Sequence, residues 1–230
     1  MSVYQVWTDS DYVFVATTSG LDIYDVNDDS DRYAYITYSG FNTVWANDDK
    51  VFTGTTNSGV KYIDKTCISG SVGSPYDLTT CLNDLSGLTY YHELTSDNIL
   101  YIHGSGDTLC MVTDSGVDVV KIDPQSYRSY TTISGAKKCF MASKKLYYTV
   151  SGVEWSLNRI DSCLGDWSVP DKSYMAGGGI LPAGKKINDV FITESTASDG
   201  VSNTIFCATT SGVYIICEFT DSYNIYYVEE

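Results

Sequence analysis

One short stretch recurs five times along the chain, and it restricts the possible folds more than any other feature. The first copy runs from Tyr12 to Asp25 and reads as strand, tight turn, strand. Val13, Val15, Leu21 and Ile23 stand at alternate positions, the period of a pleated strand with one face buried. The later copies are Val51 to Asp64, Leu109 to Val120, Leu146 to Val153 and Ile205 to Ile216. Their turn glycines, Gly20, Gly59, Gly116, Gly152 and Gly212, fall where a hairpin favours a residue tolerant of positive φ.

The repeat is larger than the hairpin. Val6-Trp7 precedes the first copy and Val44-Trp45 the second, each followed by an acidic turn. Phe140 and Phe191 echo those aromatics ahead of the fourth and fifth copies. A tyrosine-rich fourth strand is expected at Tyr33 to Tyr38, Leu88 to Tyr91, Tyr127 to Ile133 and Tyr223 to Val228, with a weaker candidate at Ser173 to Met175. Turn glycines spaced by roughly 35 to 60 residues, with four strands per unit, are the mark of a β-propeller. A sandwich has no need of one hairpin five times over, and a solenoid generally uses shorter, more uniform repeats. The expectation is an all-β chain forming a single five-bladed β-propeller over residues 1–230, four antiparallel strands per blade. The blades fall at approximately 2–41, 42–95, 96–135, 136–185 and 186–230. Three excursions interrupt the pattern: Thr66 to Leu85, Ser162 to Gly184 and Ser195 to Asn203.

The apolar-Thr-turn-Gly-apolar pattern of Val13 to Ile23 and Val51 to Ile63 resembles the short propeller repeats of two-component-regulator sensor proteins. Five units in 230 residues are also similar in size to tachylectin-type lectins. The resemblance implies a propeller blade and leaves the ligand open. The kinase, helical and membrane parts that accompany the sensor propellers have no counterpart in these residues, so a signalling role is not carried over.

The chemistry that the residues exclude is clearer than what they select. A net charge of −15 opposes binding to a nucleic-acid backbone or to an anionic membrane surface. No apolar run is long enough to span a bilayer, and Met1 to Asp9 lacks the pattern of a secretory signal, which leads to an expectation of cytoplasmic origin. The seven cysteines have no metal-ligand spacing, and in that compartment they are expected to be reduced, Cys67 and Cys81 included. Asp25 to Asp31 places oxygen ligands at alternate positions. It lacks a calcium loop's glycine, Ser30 standing there, and its terminal glutamate, replaced by Ile36. Gly104 to Asp107 and Gly177 to Gly179 precede no helix and carry no lysine in register, so neither is a phosphate loop. Asp9, Asp11, Asp48, Asp49, Asp189 and Glu194 fall mostly in turns, not where a glycosidase pair would converge. The reading is a protein without catalytic residues, metal or cofactor.

A non-enzymatic binding or structural role remains. The Gly/Ser/Thr/Tyr-rich, lysine-poor chain resembles bacteriophage structural proteins in texture. This resemblance implies a virion component, assembled in the host cytoplasm, whose partners are other virion proteins. The alternatives are a carbohydrate-binding propeller, with Trp7, Trp45, Phe140 and Phe191 as channel-mouth aromatics, and a cytoplasmic interaction scaffold. In the first reading the partner contacts lie on the excursions, with Tyr76, Leu78, Trp167, Val169 and Tyr174 as apolar anchors.

Overall fold

The computed structural model describes residues 2–28, 31–68, 74–85, 94–122, 126–130, 133–142, 145–150, 156–160, 172–173, 187–194, 201–219 and 223–228. The strands in chain order begin with β1 (Val3–Thr8), β2 (Tyr12–Thr17), β3 (Gly20–Asp25) and β4 (Ala34–Thr37). They continue with β5 (Phe41–Ala46), β6 (Lys50–Thr55), β7 (Val60–Asp64), β8 (Tyr76–Asp77) and β9 (Asn83–Asp84). Next come β10 (Ile99–Ser105), β11 (Thr108–Thr113), β12 (Val117–Lys121), β13 (Ser126–Tyr130), β14 (Ala136–Ala142), β15 (Lys145–Val150), β16 (Ser156–Ile160) and β17 (Lys172–Ser173). The last four are β18 (Ile187–Glu194), β19 (Val201–Thr209), β20 (Gly212–Phe219) and β21 (Tyr223–Val228). They form five sheets, ordered β1-β2-β3-β4-β8, β5-β6-β7-β9, β10-β11-β12-β13, β14-β15-β16-β17 and β18-β19-β20-β21.

The first excursion is built into the sheets. β8 adds a parallel fifth strand beside β4, pairing Ala34 with Tyr76 and Tyr35 with Asp77. β9 supplies the fourth strand of the second sheet, against β7. The sequence reading placed that fourth strand at Leu88 to Tyr91, which lies outside the described residues; the strand pairing with β7 comes instead from within the excursion.

The hairpins owe their shape to threonine as much as to glycine. Thr17 Oγ1 donates to Gly20 O at 3.1 Å and accepts from Ser19 N at 3.2 Å. Thr55, Thr113 and Thr209 make the same two bonds around Gly59, Gly116 and Gly212. The hydroxyl thus serves the backbone N–H that the tight turn takes out of the ladder, and adds a second bond to a glycine carbonyl that already accepts from the threonine N–H at Gly59 and Gly116. Gly20 has φ +144°, and a Cβ there would lie 1.8 Å from the Ile36 carbonyl oxygen on β4. Glycine is required as much by the closeness of the neighbouring strand as by φ. Gly152 lies outside the described residues.

Every innermost strand carries a β-bulge at the same place. The pairing skips from Val3 to Gln5, Phe41 to Thr43, Ile99 to Tyr101, Ala136 to Lys138 and Ile187 to Asp189. The skipped residues, Tyr4, Asn42, Leu100, Lys137 and Asn188, are all exposed or half-buried. A bulge bends its strand and re-aims one side chain.

Consecutive sheets pack face to face through four apolar clusters. Phe14, Leu21 and Ile23 of the first sheet meet Phe41, Val44 and Val51 of the second. Trp45, Phe52 and Val60 meet Ile99, Ile102 and Leu109. Cys110, Val112 and Val117 meet Cys139, Met141 and Leu146. Phe140, Tyr147 and Leu157 meet Val190, Ile205 and Ile216. No cluster among the described residues joins the fifth sheet to the first, so the closed ring expected from the sequence is not what the structure shows. The six described cysteines are free, three of them buried.

The fourth junction also holds a buried charge network. Glu218 is fully buried; its carboxylate accepts from Tyr147 Oη at 2.7 Å, Lys145 Nζ at 2.9 Å and Asn203 Nδ2 at 3.1 Å, and from Arg159 Nη1. Removing one partner of a buried ion pair leaves the other charge uncompensated.

Three outcomes follow. Gly20→Ala lowers stability by more than about 1 kcal/mol in urea denaturation. Gly106→Asn costs little, because Gly106 has φ +56° with nothing within 4 Å of a Cβ, and asparagine tolerates that conformation. Glu218→Gln keeps the shape, strips the charge and costs about 3–5 kcal/mol in the same assay.

Candidate functional site

An aromatic layer lies where the innermost strands converge. Trp7, Trp45, His103, Phe140 and Phe191 occupy one register position in the five sheets, paired with Phe14, Phe52, Cys110, Tyr147 and Phe206. Four of the five interlock. Trp7 meets His103 edge-on at 5.4 Å and Trp45 at 6.2 Å, and His103 meets Phe140 edge-on at 5.3 Å. Edge-to-face contacts of this kind suit the ring quadrupoles and fill the space between the strands. The indole N–H groups of Trp7 and Trp45 are buried and find no acceptor among the described residues.

Phe191 stands apart, 58% exposed and tilted against Phe206. It belongs to a larger pattern at the two ends of the array. Val213 is 37% exposed, while its register equivalents Leu21, Val60, Val117 and Leu157 are at most 3% exposed. Tyr226 and Val228 extend this bare face onto β21. The first sheet is bare on its opposite face. Val3 and Val6 are more than half exposed, whereas Phe41, Ile99, Ala136 and Ile187, and Val44, Ile102, Cys139 and Val190, are all buried. The period of two assigns each residue to one of two faces, and among the described residues no sheet packs on these two faces.

A cavity of about 960 Å³ is lined by residues from all five sheets, among them Val6 and Trp7 of the first, His103 of the third, Phe140 of the fourth and Phe191, Phe206 and Val213 of the last. Its polar groups are largely spent on each other. Lys138 Nζ pairs with Asp189 Oδ1 at 2.5 Å. Gln5 Oε1 accepts from Thr43 Oγ1 and from Val44 N at 3.2 Å, and Thr43 Oγ1 accepts from Ile102 N at 3.0 Å. Among the described residues no group of three His, Cys, Asp or Glu side chains is arranged to hold a metal.

Solved structures share this architecture. The WD40 domain of Toxoplasma gondii coronin is similar with a TM-score of 0.64 at 11% identity, over 99% of this chain and 58% of that one. The fold is of the propeller type. Sqt1 of Saccharomyces cerevisiae has a TM-score of 0.61 at 10% identity, over 100% of this chain and 60% of its own. The extracellular domain of a putative hybrid two-component system from B. thetaiotaomicron has 0.59 at 12%, over 99% and 27%. This chain therefore spans less than two thirds of the length of each. No family model and no curated protein matches the sequence.

Within this propeller-type fold the residues singled out from the sequence separate. Trp45 and Phe140 are buried in the layer, Trp7 is half-buried and Phe191 is open, so the four do not stand as one ring of exposed aromatics. Leu78 is 1% exposed in the cluster between the first two sheets, which removes it as a surface anchor. Tyr76, next to it on β8, is 58% exposed. Trp167, Val169 and Tyr174 lie outside the described residues. His103 was missed: it is the third sheet's member of the aromatic layer, and counting back from Cys110 to the position of Trp7 and Trp45 finds it.

Burial pushes the His103 imidazole down to about 4, and its Nδ1 accepts from Met141 N at 3.3 Å. The neutral ring is thus the folded form. An unfolded histidine takes up its proton near 6.5, so the contribution of His103 is fully present above that pH. It is lost as pH falls from about 6.5 to about 4, amounting to about 3 kcal/mol. His103→Phe should flatten the pH dependence of urea stability in this window; an unchanged slope would assign it to other groups.

Proposed function

We propose that the five sheets are five blades of one propeller, and that the chain is a non-enzymatic structural and binding protein acting through protein–protein contacts in a larger assembly. The supporting observation is the pair of bare apolar faces. Residues buried at every internal junction stand exposed on the first and last sheets. Contiguous apolar surface of that kind marks an interaction site in a soluble protein. Tyr76, projecting from the strand added at the outer edge of the first sheet, offers a second contact point. A virus particle is the assembly suggested by the residue texture. The similar structures, at 10–12% identity, speak for the fold alone.

A carbohydrate-binding role draws less support from the geometry, since four of the five layer aromatics pack against each other. The test is incorporation. A chain carrying Phe191→Lys, and a second carrying Tyr76→Ala, should keep the parental melting temperature and lose at least tenfold in incorporation into purified particles from the source. Full incorporation by both variants would overturn the reading, as would a glycan-array signal from a chain that enters no assembly.

A further inference from the structure

We infer that the gap between the first and last sheets is a docking site for one further β-sheet, apolar on both faces and contributed by a partner polypeptide. The inference rests on the assembly reading above and names what the partner must present. Four junctions in the molecule show what covers these faces. On the side equivalent to Val213, Leu21, Val60, Val117 and Leu157 are each sealed by the next sheet in the chain. On the side equivalent to Val6, Val44, Ile102, Cys139 and Val190 are each sealed by the sheet before. The missing cover continues that series.

Its dimensions point the same way. The bare face of the last sheet reaches from Phe191 on β18 to Tyr226 and Val228 on β21, four strands wide. At the usual strand separation that is roughly 15 Å, which a single extended segment cannot cover and a sheet can. Because the two faces border one cavity, a single two-faced sheet reaches both. A second copy of this chain is a poorer occupant. It adds another net −15 to the contact, and its first sheet would enter the gap with four more sheets attached.

The experiment supplies a sheet of known design. The full chain is extended at its C-terminus, through a Gly/Ser linker, by a second copy of residues 96–135, the third repeat, whose two faces are buried in the parent. The expected result is a melting temperature raised by about 5 °C or more, loss of the parent's binding of a hydrophobic dye, and protection of the added segment from protease. Val213→Lys in the extended chain should abolish all three. In the parent, Val6→Lys and Val213→Lys should leave the melting temperature within about 2 °C, because both positions face open space.

A drop of several degrees in those parental variants, with no dye binding by the parent, would mean that the first sheet docks on the last, and would overturn the inference. Concentration-dependent self-association of the parent, relieved by either lysine, would overturn it in favour of a second copy. Digestion of the added segment with an unchanged melting temperature would also overturn it. If the added sheet is rejected by a chain that still incorporates into its particle, the docking inference fails and the assembly reading stands. If it is accepted by a chain that never incorporates, the reverse holds.

Discussion

Two-sided burial is the constraint on which this molecule depends. Each of the three middle sheets presents one set of alternate residues to the sheet before it and the other set to the sheet after it, so neither face is free to be polar along its length. A one-residue slip in any strand would exchange the two sets. The threonine and glycine of the hairpins prevent that slip. The threonine hydroxyl ties the end of one strand to the start of the next, and the glycine lets the neighbouring strand's carbonyl approach. The short repeated motif therefore sets the register, and the register decides which side chains meet at each junction.

The same constraint explains where charge is tolerated inside. Glu218 is buried at the fourth junction because Lys145, Arg159, Tyr147 and Asn203 converge on it from both sheets. His103 is buried among aromatics because it is neutral there. Both depart from an apolar interior, and both make their junction sensitive to a single substitution in a way that an aliphatic pair would not.

Much of this was legible in the chain itself. The strands on either side of the turns at Gly20, Gly59, Gly116 and Gly212 stand where alternation places them, β4 and β21 fall within the tyrosine-rich runs, and β13 overlaps one. What escaped notice depended on contacts distant in sequence. Nothing local to Asn83 and Asp84 marks them as a strand; they pair because β7 offers an open edge. Leu78 looks like any loop leucine until β8 draws it under the first sheet. His103 differs in residue type from the tryptophans and phenylalanines of the layer and joins them only by its position in the strand. The bare faces could not be foreseen either, since Val6 and Val213 differ in no local respect from Val44 and Val117.

The five bulges divide the inner strands into two regimes of inheritance. Beyond each bulge, residues answer to a neighbour on either side, and a change in one demands a change in another. At the bulge itself the chain has a spare residue that belongs to no pair. Tyr4, Leu100, Lys137 and the two asparagines, Asn42 and Asn188, are four different kinds of side chain at equivalent points. Asn42 is tied to the next sheet by its Nδ2, which donates to Ile99 O at 3.1 Å; a lineage can rewrite the other four more freely, as a rim of interchangeable letters, while the packed text behind them stays the same.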